Sequence, residues 1–234
     1  MGIRDYCVFL FMNGLKWYQL TYIIVAAIIV AGIIFLCIYI PLRSKYKKSN
    51  YRQYYHDLIY KIAVLDDYYL INDFKFKTDD CHTATIDEIL IGEKYFYIIT
   101  CLYFEGELTG KETDSSLIFI PKIGPRKYTD NPFLETKRII QKLSLRTGID
   151  TSLMIGIVLV NDNCDIHIIP ERRKDGSEIL PEEKIYFSSK RKDFEKLIHT
   201  LEKRDVGKIN EEQLAGAIRD LDKMNGRKRW SIKL

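Results

Sequence analysis

The hydrophobic pattern divides the chain into one long apolar run and a series of short periodic segments. From Thr21 to Ile40 the sequence TYIIVAAIIVAGIIFLCIYI carries no charge. As a helix rising about 1.5 Å per residue, it covers roughly 30 Å, the hydrocarbon thickness of a bilayer. A core helix would show one apolar stripe, whereas this run is apolar on every side. A signal peptide would have a shorter apolar region closed by a small-x-small cleavage site, and this run ends in CIYIPLRSKYKK. The residues ahead of Cys37 are too bulky for a lipoprotein cleavage site. The pattern therefore predicts a single membrane-spanning helix over residues 21–42. Trp17, Tyr18, Tyr22 and Tyr39 fit interfacial anchors, and the apolar Tyr6–Met12 stretch, too short to span, is expected in the outer interface.

Beyond the span the periods shorten. NYRQYYHDLIYKIAVL (50–65) repeats as a helix with Tyr54, Leu58, Ile62 and Leu65 on its apolar face, and YYLINDFKFK (68–77) alternates as a strand. TIDEILIGEKYFYIITCLYFEGELTG (85–110) reads as a hairpin turning at Gly92-Glu93, followed by a glycine-marked exit, and SSLIFIP (115–121) as a further strand. DNPFLETKRIIQKLSLRTG (130–148) carries both helix boundaries: Asn131 as cap, Pro132 at the first helical position, and Gly148 at the end. SLMIGIVLV (152–160) is continuously apolar, the mark of a central strand buried on both faces. NDNC turns the chain into DIHII (165–169), and a charged loop, PERRKDGSEILPEEK, follows. Two amphipathic helices close the sequence. The first buries Phe194, Leu197, Ile198 and Leu201; the second, with Asn210 and Gln213 at capping-box spacing, presents Leu214, Ala217, Ile218 and Leu221. This order of elements gives a mixed α/β domain with C-terminal helices.

Charge adds an orientation. Arg43, Lys45, Lys47, Lys48 and Arg52 follow the span, and only Arg4 and Lys16 precede it, so the positive-inside rule places the large C-terminal part in the cytoplasm of a cell-membrane protein. The five cysteines (7, 37, 81, 101, 164) form no CxxC pair and have no histidine at zinc spacing, which predicts reduced thiols. The net charge of +4 is too small to announce a nucleic-acid binder. Basic clusters at 172–174, 190–192 and 227–229 are interleaved with acids such as Asp175, Glu178, Glu182 and Glu183. No glycine-rich phosphate loop, Gly-x-Ser-x-Gly elbow or His-x-x-x-His helix is present.

Candidate chemistry concentrates in the hairpin. With the turn at Gly92-Glu93, Asp87 lies nearly opposite Ile99 and Thr100, and Thr100 and Leu102 share one face of the second strand. An acid in the first strand with acid-x-lysine in the second would gather two carboxylates and an ammonium at one edge. Such a group holds a hard divalent cation and orients water for phosphodiester hydrolysis. Asp87 within TIDEILIG, the YFYIITCLYFEGELTG segment and NPFLE at 131–135 together resemble the nuclease-related domain, NERD, of the broad PD-(D/E)xK nuclease-like group, over roughly residues 50–170. The resemblance implies a PD-(D/E)xK-like mixed-sheet fold. It also implies site positions at Asp87, at Thr100 (the family's glutamate), at Leu102 (its lysine) and at Glu135 (its glutamine).

The departures from that pattern shape the functional expectation. Thr100 offers a neutral hydroxyl and Leu102 nothing, and Arg52-Gln53 or a neighbouring pair stands where the leading helix of the family often has Gly-Glu. Asp87 is then a remnant and at most a weak metal ligand; Glu88 and Glu105 point off its face, while Glu135 is the one acid able to migrate into the site. The domain organisation follows: an extracytoplasmic segment 1–20, the helix 21–42, a NERD-like domain 43–205 and a helical tail 206–234. The expected function is a membrane-anchored, catalytically degenerate binding module with no cofactor. Its partners would be membrane lipid through Thr21–Ile40, a protein docking on the 210–225 helix, and nucleic acid bound weakly, at best in the non-specific range of roughly 10⁻⁴ to 10⁻⁶ M. The alternatives are an Mg²⁺-dependent nuclease with a rearranged site, or a membrane-tethered scaffold.

Overall fold

The computed structural model describes residues 17–78, 82–170 and 184–225. The chain forms two compact units, Met1–Ser49 and Asn50–Leu234. The first contains helix α1 (Trp17–Ser49). Within it Thr21–Leu42 has a mean hydropathy of 3.2 and no buried residue, so the helix is long and apolar enough to cross a membrane, a property that a signal sequence near an N-terminus shares. Tyr6–Met12 and the side chains of Trp17 and Tyr18 lie outside the described residues.

The second unit opens with helix α2 (Tyr51–Leu65) and strands β1 (Tyr69–Lys77), β2 (Thr83–Ile91) and β3 (Phe96–Leu102), then β4 (Gly106–Lys111), β5 (Ser116–Pro121) and β6 (Lys127–Asp130). Helix α3 (Pro132–Thr147), strands β7 (Met154–Val160), β8 (Cys164–Ile169) and β9 (Tyr186–Ser188), and helices α4 (Arg191–Glu202) and α5 (Glu211–Met224) complete it. Two mixed sheets result, in the orders β1-β2-β3-β7-β9 and β6-β5-β4-β8. Their parallel pairs are one bent ribbon. Leu102 opposes Val160 at the end of β3/β7, Gly106 opposes Cys164 at the start of β4/β8, and the offset is unchanged across the break. Asn161 Oδ1 accepts the Phe104 N–H at 2.7 Å and so holds the bend together. Gly106 permits it: at φ 150° the residue sits where a Cβ would meet the Ile120 carbonyl oxygen.

The first sheet carries a hydrophobic layer on each face. One joins Tyr55, Leu58, Ile59, Ile62 and Ala63 of α2 and Phe194, Ile198 and Leu201 of α4 to alternate positions of β2, β3 and β7. The other joins Phe133, Ile140 and Leu143 of α3 and Leu221 of α5 to the opposite face and to the second sheet. Among the described residues, every member of both layers lies within Asn50–Leu234.

Most predicted elements stand within a residue or two. Asn131 caps α3 by accepting the Phe133 N–H, Gly148 closes it in the left-handed conformation, and β7 is buried along its whole length. The predicted face of α2 is corrected: Tyr54 and Leu65 are exposed, and Tyr55, Ile59 and Ala63 are buried. Strands β4, β6 and β9 escape the pattern, since GELTGK has two glycines and the other two are four and three residues long. Asn210 caps α5 through the Glu212 N–H. The α5 stripe of Leu214, Ala217, Ile218 and Leu221 packs on the domain's own core. The 171–183 loop, with its basic cluster, and residues 226–234, with theirs, lie outside the described residues.

Candidate functional site

Strands β1 and β2 change face together, and acids mark the change. Alternation would send residues three apart to opposite faces. Yet Ile71 and Phe74 enter the same hydrophobic layer, as do Ile86 and Ile89. The ladder pairs Asn72 with Glu88 and Phe74 with Ile86, and between them Asp73 adopts a φ of 48°. A non-glycine residue at positive φ inside a strand is a local kink that re-aims its neighbours.

The kink sends Asp87 and Glu88 to different places. Glu88 faces α2, where its Oε1 lies 3.0 Å from His56 Nδ1, and the residue is only 6% exposed. Burial, aided by the charges of Asp73 and Asp87, pushes its carboxyl up to about 8. Asp87 turns toward β3 instead. Its Oδ2 accepts the Cys101 N–H at 2.8 Å, beyond the last ladder pair, Glu88 with Ile99. Its Oδ1 lies 3.4 Å from Arg52 Nε on α2. Burial raises the Asp87 carboxyl above its ordinary range; the Cys101 N–H and the Arg52 guanidinium pull it down, and burial outweighs them. Arg52 itself is 63% exposed, so the pair is screened and contributes less than about 1 kcal/mol. Its consequence is occupancy: the open oxygen of Asp87 already faces a cation.

All four predicted site positions converge. Asp87, Thr100, Leu102 and Glu135 line one cavity of about 520 Å³, which Arg52, Arg138 and Lys142 also line. Helix α3 delivers Glu135 and Arg138 because Gly156 of β7 lets it come close; a Cβ there would press on Thr136, Ile140 and Ile185. Thr100 Oγ1 lies 3.3 Å from Thr136 Oγ1, so the β3 hydroxyl already has a neutral partner on α3. Leu102 packs against the hydrophobic layer. Glu135 occupies the first turn of α3, where the helix dipole favours an anion. Cys101 also lines the cavity, and burial holds its thiol well above its usual range, which disfavours the thiolate.

Among the described residues no three of His, Cys, Asp and Glu are placed to hold a metal ion. A hard divalent cation wants several oxygen donors, with anionic charge among them. Here Asp87 faces a guanidinium, Thr100 another hydroxyl and Leu102 brings no donor, which leaves Glu135 as the one further carboxylate among the four positions. As it stands this donor set does not fit such an ion.

Residues 47–161 match the family model of the nuclease-related domain, NERD. The chain carries a nuclease-related domain. The match runs from just before α2 to just past β7, and it contains every cavity-lining residue named above. The PD-(D/E)xK-like grouping agrees with this family, whose members are typically metal-dependent. No curated protein and no solved structure matches the chain significantly.

The sequence pattern alone marks Arg52 only as a departure on the leading helix of the NERD domain and does not place its guanidinium on Asp87. It also misses the His56–Glu88 contact. A signal for both existed: Arg52 and His56 are four apart on one helix face, opposite two consecutive acids.

Proposed function

We propose that this is a membrane-anchored NERD domain that binds a phosphate-bearing ligand, most simply a nucleic-acid strand, in the Asp87 cavity without cleaving it. The observation that carries this reading is the Arg52–Asp87 pair, in a cavity where Thr100 and Leu102 stand at the family's glutamate and lysine positions. Metal-assisted hydrolysis needs clustered carboxylates to hold the ion that polarises the phosphodiester. With a guanidinium on Asp87, and Arg138 and Lys142 lining the same space, the cavity offers positive charge to a phosphate and few free oxygen donors for a divalent ion. The alternative surface for a protein partner, the stripe of α5, lies against the core. The apolar α1 serves as the anchor, and the Lys/Arg excess after residue 42 orients Asn50–Leu234 into the cytoplasm.

A second reading rests on a specific observation: Asp87 and Glu135 line one cavity, so a rearranged Mg²⁺-dependent nuclease would draw on both. Purified Asn50–Leu234, incubated with plasmid and single-stranded substrates in Mg²⁺ or Mn²⁺, separates the two. The expected result is intact substrate and salt-sensitive binding, weakened in Arg138→Ala and Lys142→Ala. Cleavage that vanishes in both Asp87→Ala and Glu135→Ala would establish the nuclease instead. Orientation is checked with a cysteine placed at the exposed position 145 in a Cys7→Ser background. An impermeant maleimide should label it only after the cells are opened.

A further inference from the structure

The β5–β6 hairpin ends in PKIGPRKY, residues 121–128, and its tip is exposed without interruption from Lys122 to Tyr128. Ile123 is 94% exposed and Tyr128 81%, the extreme values for large apolar side chains along this hairpin. Lys122, Arg126 and Lys127 flank them, and no acid occurs between Ser115 and Thr129. Gly124, at φ 113°, lies in a bend over residues 122–124 that Pro125 follows.

An aliphatic side chain held fully in water at the end of a projecting turn wins nothing for the fold. Ringed by cations and followed by an aromatic, it has the chemistry of a lipid interface. The isoleucine enters the acyl boundary, the tyrosine sits at headgroup depth, and lysine and arginine meet anionic headgroups. A nucleic-acid strand would use the three cations and stack on Tyr128, but it gives the isoleucine no partner. From this juxtaposition we infer that the β5–β6 tip, centred on Ile123 with Lys122, Arg126, Lys127 and Tyr128, is a docking site for an anionic membrane surface. The tip rests on its own chemistry and is independent of what fills the Asp87 cavity. The same chain carries a helix of bilayer-spanning length, so one membrane would serve both attachments, each raising the effective concentration of the other.

The test uses Asn50–Leu234, which holds every member of both layers among the described residues and lacks the apolar helix, so failure here leaves the anchor reading untouched. The domain should co-sediment with vesicles containing phosphatidylserine and not with pure phosphatidylcholine vesicles. Replacing Lys122, Arg126 or Lys127 by alanine should lower the partition coefficient about fivefold each, the value of one basic residue near an anionic surface. Ile123→Asp should lower it about tenfold or more. Because these side chains are exposed, the variants should melt with the parent. In an Ile123→Trp, Trp230→Phe version, brominated lipid should quench the new indole. Equal sedimentation of parent and variants, or absence of quenching, would overturn the inference. So would vesicle binding unaffected by variants that abolish oligonucleotide binding, which would make the tip a nucleic-acid contact.

Discussion

Asp87 Oδ2 accepts the backbone N–H of Cys101 where the ladder between β2 and β3 has already stopped. A side chain has taken over a main-chain acceptor's place, and the position of β3 beside the cavity depends on it. In Asp87→Ala the Cys101 N–H, on a buried residue, loses its partner, and such an orphan costs about 1–3 kcal/mol. Asp87→Asn keeps an acceptor and removes the charge. Urea denaturation of Asn50–Leu234 should show Asp87→Ala clearly destabilised and Asp87→Asn within about 1 kcal/mol of the parent. Equal losses in the two variants would assign the effect to the ion pair with Arg52.

The neighbouring acid predicts a pH dependence. Glu88 is held up to about 8 in the folded domain and reverts to about 4.5 on unfolding. Between these values the native state binds the extra proton, so this group's contribution to stability is full below about pH 4.5, declines as pH rises, and is gone above about pH 8. The slope cannot exceed about 1.4 kcal/mol per pH unit for one proton. Glu88 Oε2 and Asn72 Oδ1 are buried acceptors with no hydrogen-bond partner among the described residues, on residues directly paired in the β1–β2 ladder. A proton on the carboxyl gives this pair its donor. Glu88→Gln should therefore flatten the stability profile between pH 5 and 8. An unchanged slope would place the titration elsewhere.

The corrected face of α2 gives a direct comparison. Ile59 is fully buried and Leu65 is 79% exposed. Ile59→Ala should cost about 2–5 kcal/mol through lost burial and the cavity left behind. Leu65→Ala should stay within about 0.5 kcal/mol. Reversed magnitudes would restore the face that sequence periodicity predicted.

These residues also show what a single sequence carries. Helix α3 was legible because Asn131-Pro132 and Gly148 are local signals whose meaning does not depend on the rest of the chain. Strand β7 was legible because burial on both faces leaves a continuous apolar run. The face of α2 was not, because tyrosines at 51, 54, 55 and 60 suit an interior or a surface, and only the folded layer that also holds Leu90, Ile99 and Leu159 buries Tyr55. Strand β4 lies between its neighbour β5 and the distant β8, and no local pattern encodes the parallel pairing with β8. At the site, the hairpin register placed Asp87 beside Thr100 correctly. The kink at Asp73 that separates Asp87 from Glu88 has no glycine to announce it.

The role given to Arg52 can be tested by reversing it. If the guanidinium stands in for a cation on Asp87, restoring acid and lysine on β3 should create metal affinity only when Arg52 is also removed. Thr100→Glu with Leu102→Lys puts a carboxylate and an ammonium into the cavity that Asp87 lines, at some cost in stability because Leu102 packs against the core. While Arg52 remains, a divalent ion must displace a charge-assisted partner, and the ammonium adds repulsion. Adding Arg52→Gln frees Asp87 Oδ1. Calorimetric titration with Mn²⁺ should give little heat for the parent, a weak isotherm for the double variant and at least about tenfold tighter binding for the triple, the equivalent of about 1.4 kcal/mol. Parent protein that binds Mn²⁺ as tightly as the triple variant would sink the substitution argument. It would mean that Asp87 recruits oxygen donors other than those on β3, with Glu135 the first to replace.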